Sequence, residues 1–447
     1  MNHAIKQTLS LQNTIAMGFM AFAMFLGAGN LIFPPLIGFM AGEQVWYAAA
    51  GFLVTGVGLP LLGIVAIARV GGDFNNISQE LPKGLVIALA SSIYLIIGPV
   101  YAVPRTALVA FEIGIEPFLP SHNAHVQLIF SLLFFSIAWY LSIRPGKLLE
   151  TVGKLITPAL IILLALLGLS PVFAPLGSPG ESLSVYQETP LIGGFLEGYM
   201  TMDTLAALMF GIVIITNLKS HGIQDKTSLF HYSMTTGIIA AIGLSLVYLS
   251  LFYLGATSRA IIASPENGGQ ILASYAYLMF GNTGAIMLAC VVTLACLTTA
   301  IGCITAASEY FNELFSFVSY RTVVTIVSAT CVVFANMGGL GEIIELFIPA
   351  LQVLYPISIV LILLGLFRHR MPHSVLIYRS TLATAFLFSV IDLVKDQGHP
   401  LFTQLLRVFD SLPGYHNHML WVLPALAMFL ISLTLSSLFK QPESLSN

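Results

Sequence analysis

Two carboxylates, Glu197 and Asp203, lie in the otherwise apolar stretch PLIGGFLEGYMTMD, residues 190–203. An ionisable group in such a stretch is costly and marks a pathway, a proton relay or a counter-charge. The plainer reading is a cap, and Asp203 is well placed to cap a helix starting near Thr204. Both readings stay open, and Glu197 and Asp203 are the candidate proton sites. A second cluster is Thr298 and Thr299, one turn after Ala295. A lone hydroxyl in a helix usually bonds a carbonyl one turn back. Two hydroxyls with the Ala295 carbonyl would instead form a small oxygen cage without formal charge, which suits a monovalent cation. A third is FLGAGNLIFPP, residues 25–35, where Gly27, Gly29 and Asn30 precede Pro34 and Pro35. In a helix interior Gly costs roughly 1 kcal/mol and Pro about 3 kcal/mol relative to Ala. This predicts two half-helices with open backbone at residues 27–30. A half-helix starting near Leu31 would turn about half a positive charge toward a carboxylate. Carbonyls around Glu197, Gly198 and Thr201 would accept from the cationic end of a small zwitterion. Phe25, Tyr101, Met200 and Met202 are candidate apolar walls.

The elements that hold these residues are membrane helices. The chain has 447 residues, 57% hydrophobic and 8% charged, with a mean hydropathy of +0.91. Soluble domains carry about 25% charged residues. Twelve segments are apolar enough to span a bilayer, for which about 20 residues suffice. They are residues 14–40, 45–68, 84–103, 126–142, 151–173, 190–217, 228–254, 283–307, 320–337, 343–367, 375–393 and 418–439. On the side of both termini lie 13 of the 17 Lys and Arg, with Arg105, Arg259, Lys395 and Arg407 opposite. The positive-inside rule then puts both termini in the cytoplasm. The outer loop at 255–282 holds an apolar patch, residues 270–280, that reads equally as a surface helix or a plain loop. The breaks at Gly27 and Gly198 are 171 residues apart, and each opens a set of five spans. Five is odd, so the second set is inverted relative to the first. Paired interrupted spans in corresponding halves point to a transporter binding site. The expected organisation is a single transmembrane domain over 1–447. Residues 14–173 form the first five-helix repeat, 190–367 the second, and 375–439 two further helices.

The sequence resembles the bacterial branched-chain amino acid carrier family (BrnQ, or LIVCS). The resemblance rests on GAGNLIFPP at 27–35, GPVYAVPR at 98–105, FEIG at 111–114, EGYMTMD at 197–203 and SEYF at 308–311, and extends over essentially the whole chain. It implies sodium-coupled uptake of leucine, isoleucine and valine, on the LeuT-type five-plus-five inverted repeat with helices 1 and 6 broken. Within that wider group Gly27-Ala28-Gly29-Asn30 matches a Gly-x-Gly-Asn motif. The match implies that the amides of Ala28 and Gly29 face the substrate carboxylate and the carbonyls of Ala23 and Leu26 face sodium. Ala295, Thr298 and Thr299 would complete the sodium shell. The sixth segment departs from the group's glycine-rich break, so a second sodium site does not carry over.

The expected function is therefore secondary active transport by alternating access in the bacterial plasma membrane, with sodium as coupling ion, no further cofactor and no enzymatic activity. The alternatives are a proton-coupled or exchanging carrier of neutral amino acids using Glu197 or Asp203, and more distantly a channel or membrane enzyme. Gly146-Lys147 and Gly153-Lys154 lack P-loop spacing, so no ATPase subunit is expected. No nucleic-acid partner is expected either. Arg105 and Glu112 are read as lying near the outer end of the third span, paired with each other or with water.

Overall fold

The computed structural model of the chain describes residues 8–72, 74–120, 123–368, 371, 373–396, 414–415 and 419–438. Among these, every regular element is helical. Nine helical stretches are long and apolar enough to cross a membrane, and Leu11–Phe25, Tyr320–Ala335 and Val422–Ser437 are shorter apolar helices.

The first span is α1 (Leu11–Phe25) and α2 (Ala28–Ala41). α1 starts at Ser10, whose side chain accepts from the Asn13 amide at 3.2 Å. The interruption is narrower than expected. Only Leu26 and Gly27 leave the helix, and α2 resumes at Ala28 rather than near Leu31, with Pro34 and Pro35 inside it. The two prolines are the seventh and eighth residues of α2, past the first four amides that lack a ladder partner, so they remove the ladder bonds to the carbonyls of Asn30 and Leu31. Gly42, at φ +49°, turns the chain into the second span, α3 (Val45–Leu53) and α4 (Leu59–Arg69). A short α5 (Phe74–Ile77) follows.

The third span corrects the expectation for Arg105. It runs from α6 (Lys83–Leu95) through a π-turn at Ile96–Val100 into α7 (Ala102–Gly114). Gly98 is non-helical, at φ −90° and ψ −118°. The span is thus longer than residues 84–103, and Arg105 sits inside it at 3% exposure rather than at a wet outer end. The fourth and fifth spans are α8 (Ala124–Ser142) and α9 (Thr157–Phe173), the latter preceded by a π-turn at Leu149–Ile156.

The sixth span is α10 (Pro190–Glu197), a 3-10 turn at Gly198–Thr201, and α11 (Asp203–Ser220). The seventh is α12 (Lys226–Ala256), capped by Asp225 on the amides of Thr227 and Ser228. The eighth is α13 (Gly268–Leu314), bent at Gly281. Its first part is the surface helix that residues 270–280 left open. The remaining spans are α14 (Tyr320–Ala335), α15 (Leu340–Phe367), α16 (Ser374–Asp396) and α17 (Val422–Leu438). Residues 418 and 439 of the twelfth expected segment, and Arg407, lie outside the described residues.

The broken spans sit at the centre. α2 packs on α12 and α13, and α3 packs on α10. The last pair closes backbone to backbone. A Cβ on Gly51 would strike the Leu191 carbonyl, and one on Gly194 the Ala48 carbonyl. Small residues allow this approach where lipid gives no hydrophobic drive for helix association. Thr55, in the π-turn of the second span, donates to the Phe195 carbonyl at 2.8 Å and its own carbonyl accepts from Thr204 at 3.3 Å. These bonds place the second span against the break of the sixth.

Candidate functional site

The gap in the first span is held open by its own side chain. Gly27 takes φ −100° and ψ −165°, and its amide donates to Asn30 Oδ1 at 3.2 Å. The amide of Asn30 then points away from α2. Asn30 Nδ2 donates to Asp203 Oδ2 at 2.6 Å and contacts the Tyr248 hydroxyl. Tyr248 also donates to Asp203 Oδ2, at 3.1 Å. A buried triad thus ties the first, sixth and seventh spans together, with Asn30 at 1% and Tyr248 at 0% exposure. The capping reading of Asp203 gives way here. Its carboxylate faces Asn30 and Tyr248, and the helix start carries no side-chain cap bond. Met202 before it is left-handed at φ +64°, a conformation that costs a non-glycine residue roughly 1–2 kcal/mol. Such strain gathers at functional sites.

Arg105 enters the same gap from α7. Nη1 donates to Tyr101 Oη at 3.3 Å and to the Met200 carbonyl at 3.4 Å, and Nε is buried without a partner. The guanidinium lies over Tyr101 and Phe33, 5.3 and 6.0 Å from the ring centroids. Gly29 makes room, since a Cβ there would stand 2.8 Å from Nη2.

These groups surround a cavity of about 30 Å³. It holds a water or two and must open to hold an amino acid. Of the expected substrate residues, Phe25, Ala28, Asn30 and Thr201 line it, as do Met202 and Asp203. Gly29 stands behind Ala28 against Arg105, and Tyr101 lies beneath the guanidinium rather than on the cavity wall. Glu197 and Met200 do not line it. The 3-10 turn rotates them into a separate crevice of about 300 Å³, with Gln352, Tyr355 and Asp392. Gly198 packs against Thr55.

Beside the cavity is the oxygen cluster. Thr298 Oγ1 lies 2.8 Å from the Ala23 carbonyl and 2.9 Å from the Ala295 carbonyl. Thr299 Oγ1 is 3.4 Å from the Ala23 carbonyl, and Thr299 also lines the cavity. Leu26 is one of the two residues at the break, with ψ at 76°. Donor set and chemistry fit a small monovalent cation: carbonyls and hydroxyls, with no carboxylate among these groups. Among the described residues no group of three or more His, Cys, Asp or Glu is placed to hold a metal.

Two residues of the site escaped the sequence reading. A standard span length leaves no room for the π-turn at Ile96–Val100 and so puts Arg105 at a span end. Tyr248 is a lone phenol in an apolar run, and a buried tyrosine hydroxyl demands a partner. That signal was available.

The family model described as branched-chain amino acid transport protein matches residues 10–439. A branched-chain amino acid transport system 2 carrier protein of Pseudomonas aeruginosa is 46% identical over 429 residues, covering 96% of this chain and 97% of that one. The branched-chain amino acid permease BraB of Bacillus subtilis is 40% identical, covering 99% of both chains. The permease BrnQ of Escherichia coli is 39% identical, covering 95% and 96%. Among solved structures, a substrate-bound, outward-open Na+-coupled sialic acid symporter is similar at a TM-score of 0.59 and 12% identity, covering 97% of this chain and 91% of the other. Mhp1, a nucleobase-cation-symport-1 family transporter in a closed conformation, gives 0.54 at 14% identity, covering 94% and 91%. At such identities the likeness concerns the fold alone, and that fold is the expected all-α LeuT-type one.

Proposed function

The chain belongs to the branched-chain amino acid transport protein family, and from that premise we propose that it takes up leucine, isoleucine and valine by sodium symport. The family is one of carriers and not of enzymes. The substrate would sit in the gap between α1 and α2, its carboxylate toward the amides of Ala28 and Gly29. Its side chain would lie among Phe25, Met202 and Phe210. Such an apolar pocket separates side chains that differ by one methylene by only about 1–3 kcal/mol, so overlapping use of the three substrates is expected.

Sodium would sit among the oxygens of Ala23, Leu26, Ala295, Thr298 and Thr299. The observation that carries this reading is Thr299, which touches the Ala23 carbonyl on one side and lines the cavity on the other. An ion there would join α1 to α13 and order the substrate gap at once. One charge crossing about 100 mV releases roughly 2.3 kcal/mol. At about 1.4 kcal/mol per factor of ten, one sodium would support roughly 50-fold accumulation. Alternating access would come from movement of one five-span set against the other. The protein would lie in the bacterial plasma membrane with both termini cytoplasmic.

A second reading, proton coupling, is favoured by one observation: the buried carboxylate of Asp203 bonded to Tyr248. Uptake of labelled leucine into proteoliposomes, with and without an inward sodium gradient, tests the choice. Symport predicts accumulation only with sodium. Accumulation driven by a proton gradient without sodium, and lost in Asp203→Asn, would replace sodium with a proton.

A further inference from the structure

We propose that Arg105 and Asp203 bracket the zwitterion, Arg105 taking the substrate carboxylate and Asp203 the ammonium. This rests on the transport reading above and adds the two charges that make the site specific for α-amino acids.

The anion half has two independent marks. The amino end of α2 opens on the cavity with no acidic residue in its first turn, so its amides face the gap without a negative partner from that turn. Arg105 arrives at the same point through the space that Gly29 leaves. Its bonds to Tyr101 and Met200 are long, at 3.3 and 3.4 Å, and go to neutral oxygens from one nitrogen only. Nε is unpartnered although the side chain is 3% exposed. A guanidinium is a fork shaped for a carboxylate, and nothing in its present contacts fills that role.

The cation half is Asp203. The bonds from Asn30 and Tyr248 both fall on Oδ2, on the seam between the first and sixth spans. The Met200 carbonyl, from the same break, faces Arg105 instead, at 3.4 Å from Nη1. Among the described residues Arg105 and Asp203 form no ion pair with each other, yet both line the cavity. A charge is costly inside a span. An arginine and a carboxyl that line one cavity, each on neutral partners of its own, offer a zwitterion a contact at both ends.

The test is the ligand-induced shift of the thermal unfolding midpoint of the purified protein, read with leucine, leucinol (no carboxylate) and isocaproate (no ammonium). In the wild type, leucinol and isocaproate should each need at least about 100-fold higher concentration than leucine for the same shift, since groups built to bind a charge are left unpaired. In Arg105→Gln, the preference for leucine over leucinol should fall at least about tenfold, the α2 amides keeping the rest. In Asp203→Asn, leucine and isocaproate should become equivalent. Arg105→Lys should keep a preference for leucine over leucinol. The wild-type arm needs no variant to fold: leucinol or isocaproate acting within threefold of leucine overturns the bracket. So does either neutral variant keeping wild-type discrimination. A wild type that shows no shift with leucine at any sodium concentration removes the transport reading itself, and the bracket with it.

Discussion

The two broken spans solve the same problem differently. The first is interrupted by two residues and repaired by Asn30, which holds the Gly27 amide. Neither Leu26 nor Gly27 carries a charge. The sixth is interrupted by a 3-10 turn and a left-handed Met202, and it carries Glu197 on one side and Asp203 on the other. On the proposed function the first break would offer backbone oxygen to a cation beside the hydroxyls of α13, and the sixth would bring charge to the substrate. The contrast also divides the carboxylates. Six residues apart, Asp203 faces the central cavity and Glu197 the crevice beside α15.

The comparison breaks most visibly at Asp203. Asp203→Ala strips Asn30 and Tyr248 of their shared acceptor, and each buried donor left unpaired costs about 1–3 kcal/mol. Leucine uptake should fall at least about 100-fold in kcat/KM, measured as initial rates in proteoliposomes. A loss under tenfold would reduce the sixth-span charge to scaffolding. Gly29→Ala places a methyl 2.8 Å from Arg105 Nη2 and should raise the KM for leucine about tenfold or more (~1.4 kcal/mol) while sodium activation is kept. Thr298→Val removes one hydroxyl from the neutral cluster. The sodium concentration for half-maximal uptake should rise about tenfold, with the rate restored at saturating sodium. Glu197→Gln, outside the cavity, should change leucine KM by less than about threefold. A larger change there would mean that the crevice belongs to the substrate path.

The amphipathic logic of the chain was legible because spans are long apolar runs, and twelve such runs each hold a helix or a broken helix among the described residues. Both interruptions were legible from Gly and Pro chemistry, and the sixth falls at Gly198–Thr201 as its glycines imply. The length of the first was not legible. Pro34 and Pro35 read as stops, yet α2 runs on through them without the two ladder bonds they remove. The oxygen cluster was visible because Thr298 and Thr299 are adjacent and Ala295 lies one turn away. The charged side of the site was half hidden. Asp203 stood out, but Arg105 depends on a π-turn and a non-helical Gly98 that lengthen the third span. Glu197 looked equivalent to Asp203 in sequence, and only the rotation through the 3-10 turn separates them.

The most direct measurement of the central claim is leucine-driven entry of radiolabelled sodium into proteoliposomes with equal sodium on both sides. Coupling is reciprocal, so an inward leucine gradient should drive sodium in, and Thr298→Val/Thr299→Val should abolish that flux. Leucine entering with no accompanying sodium would contradict the account.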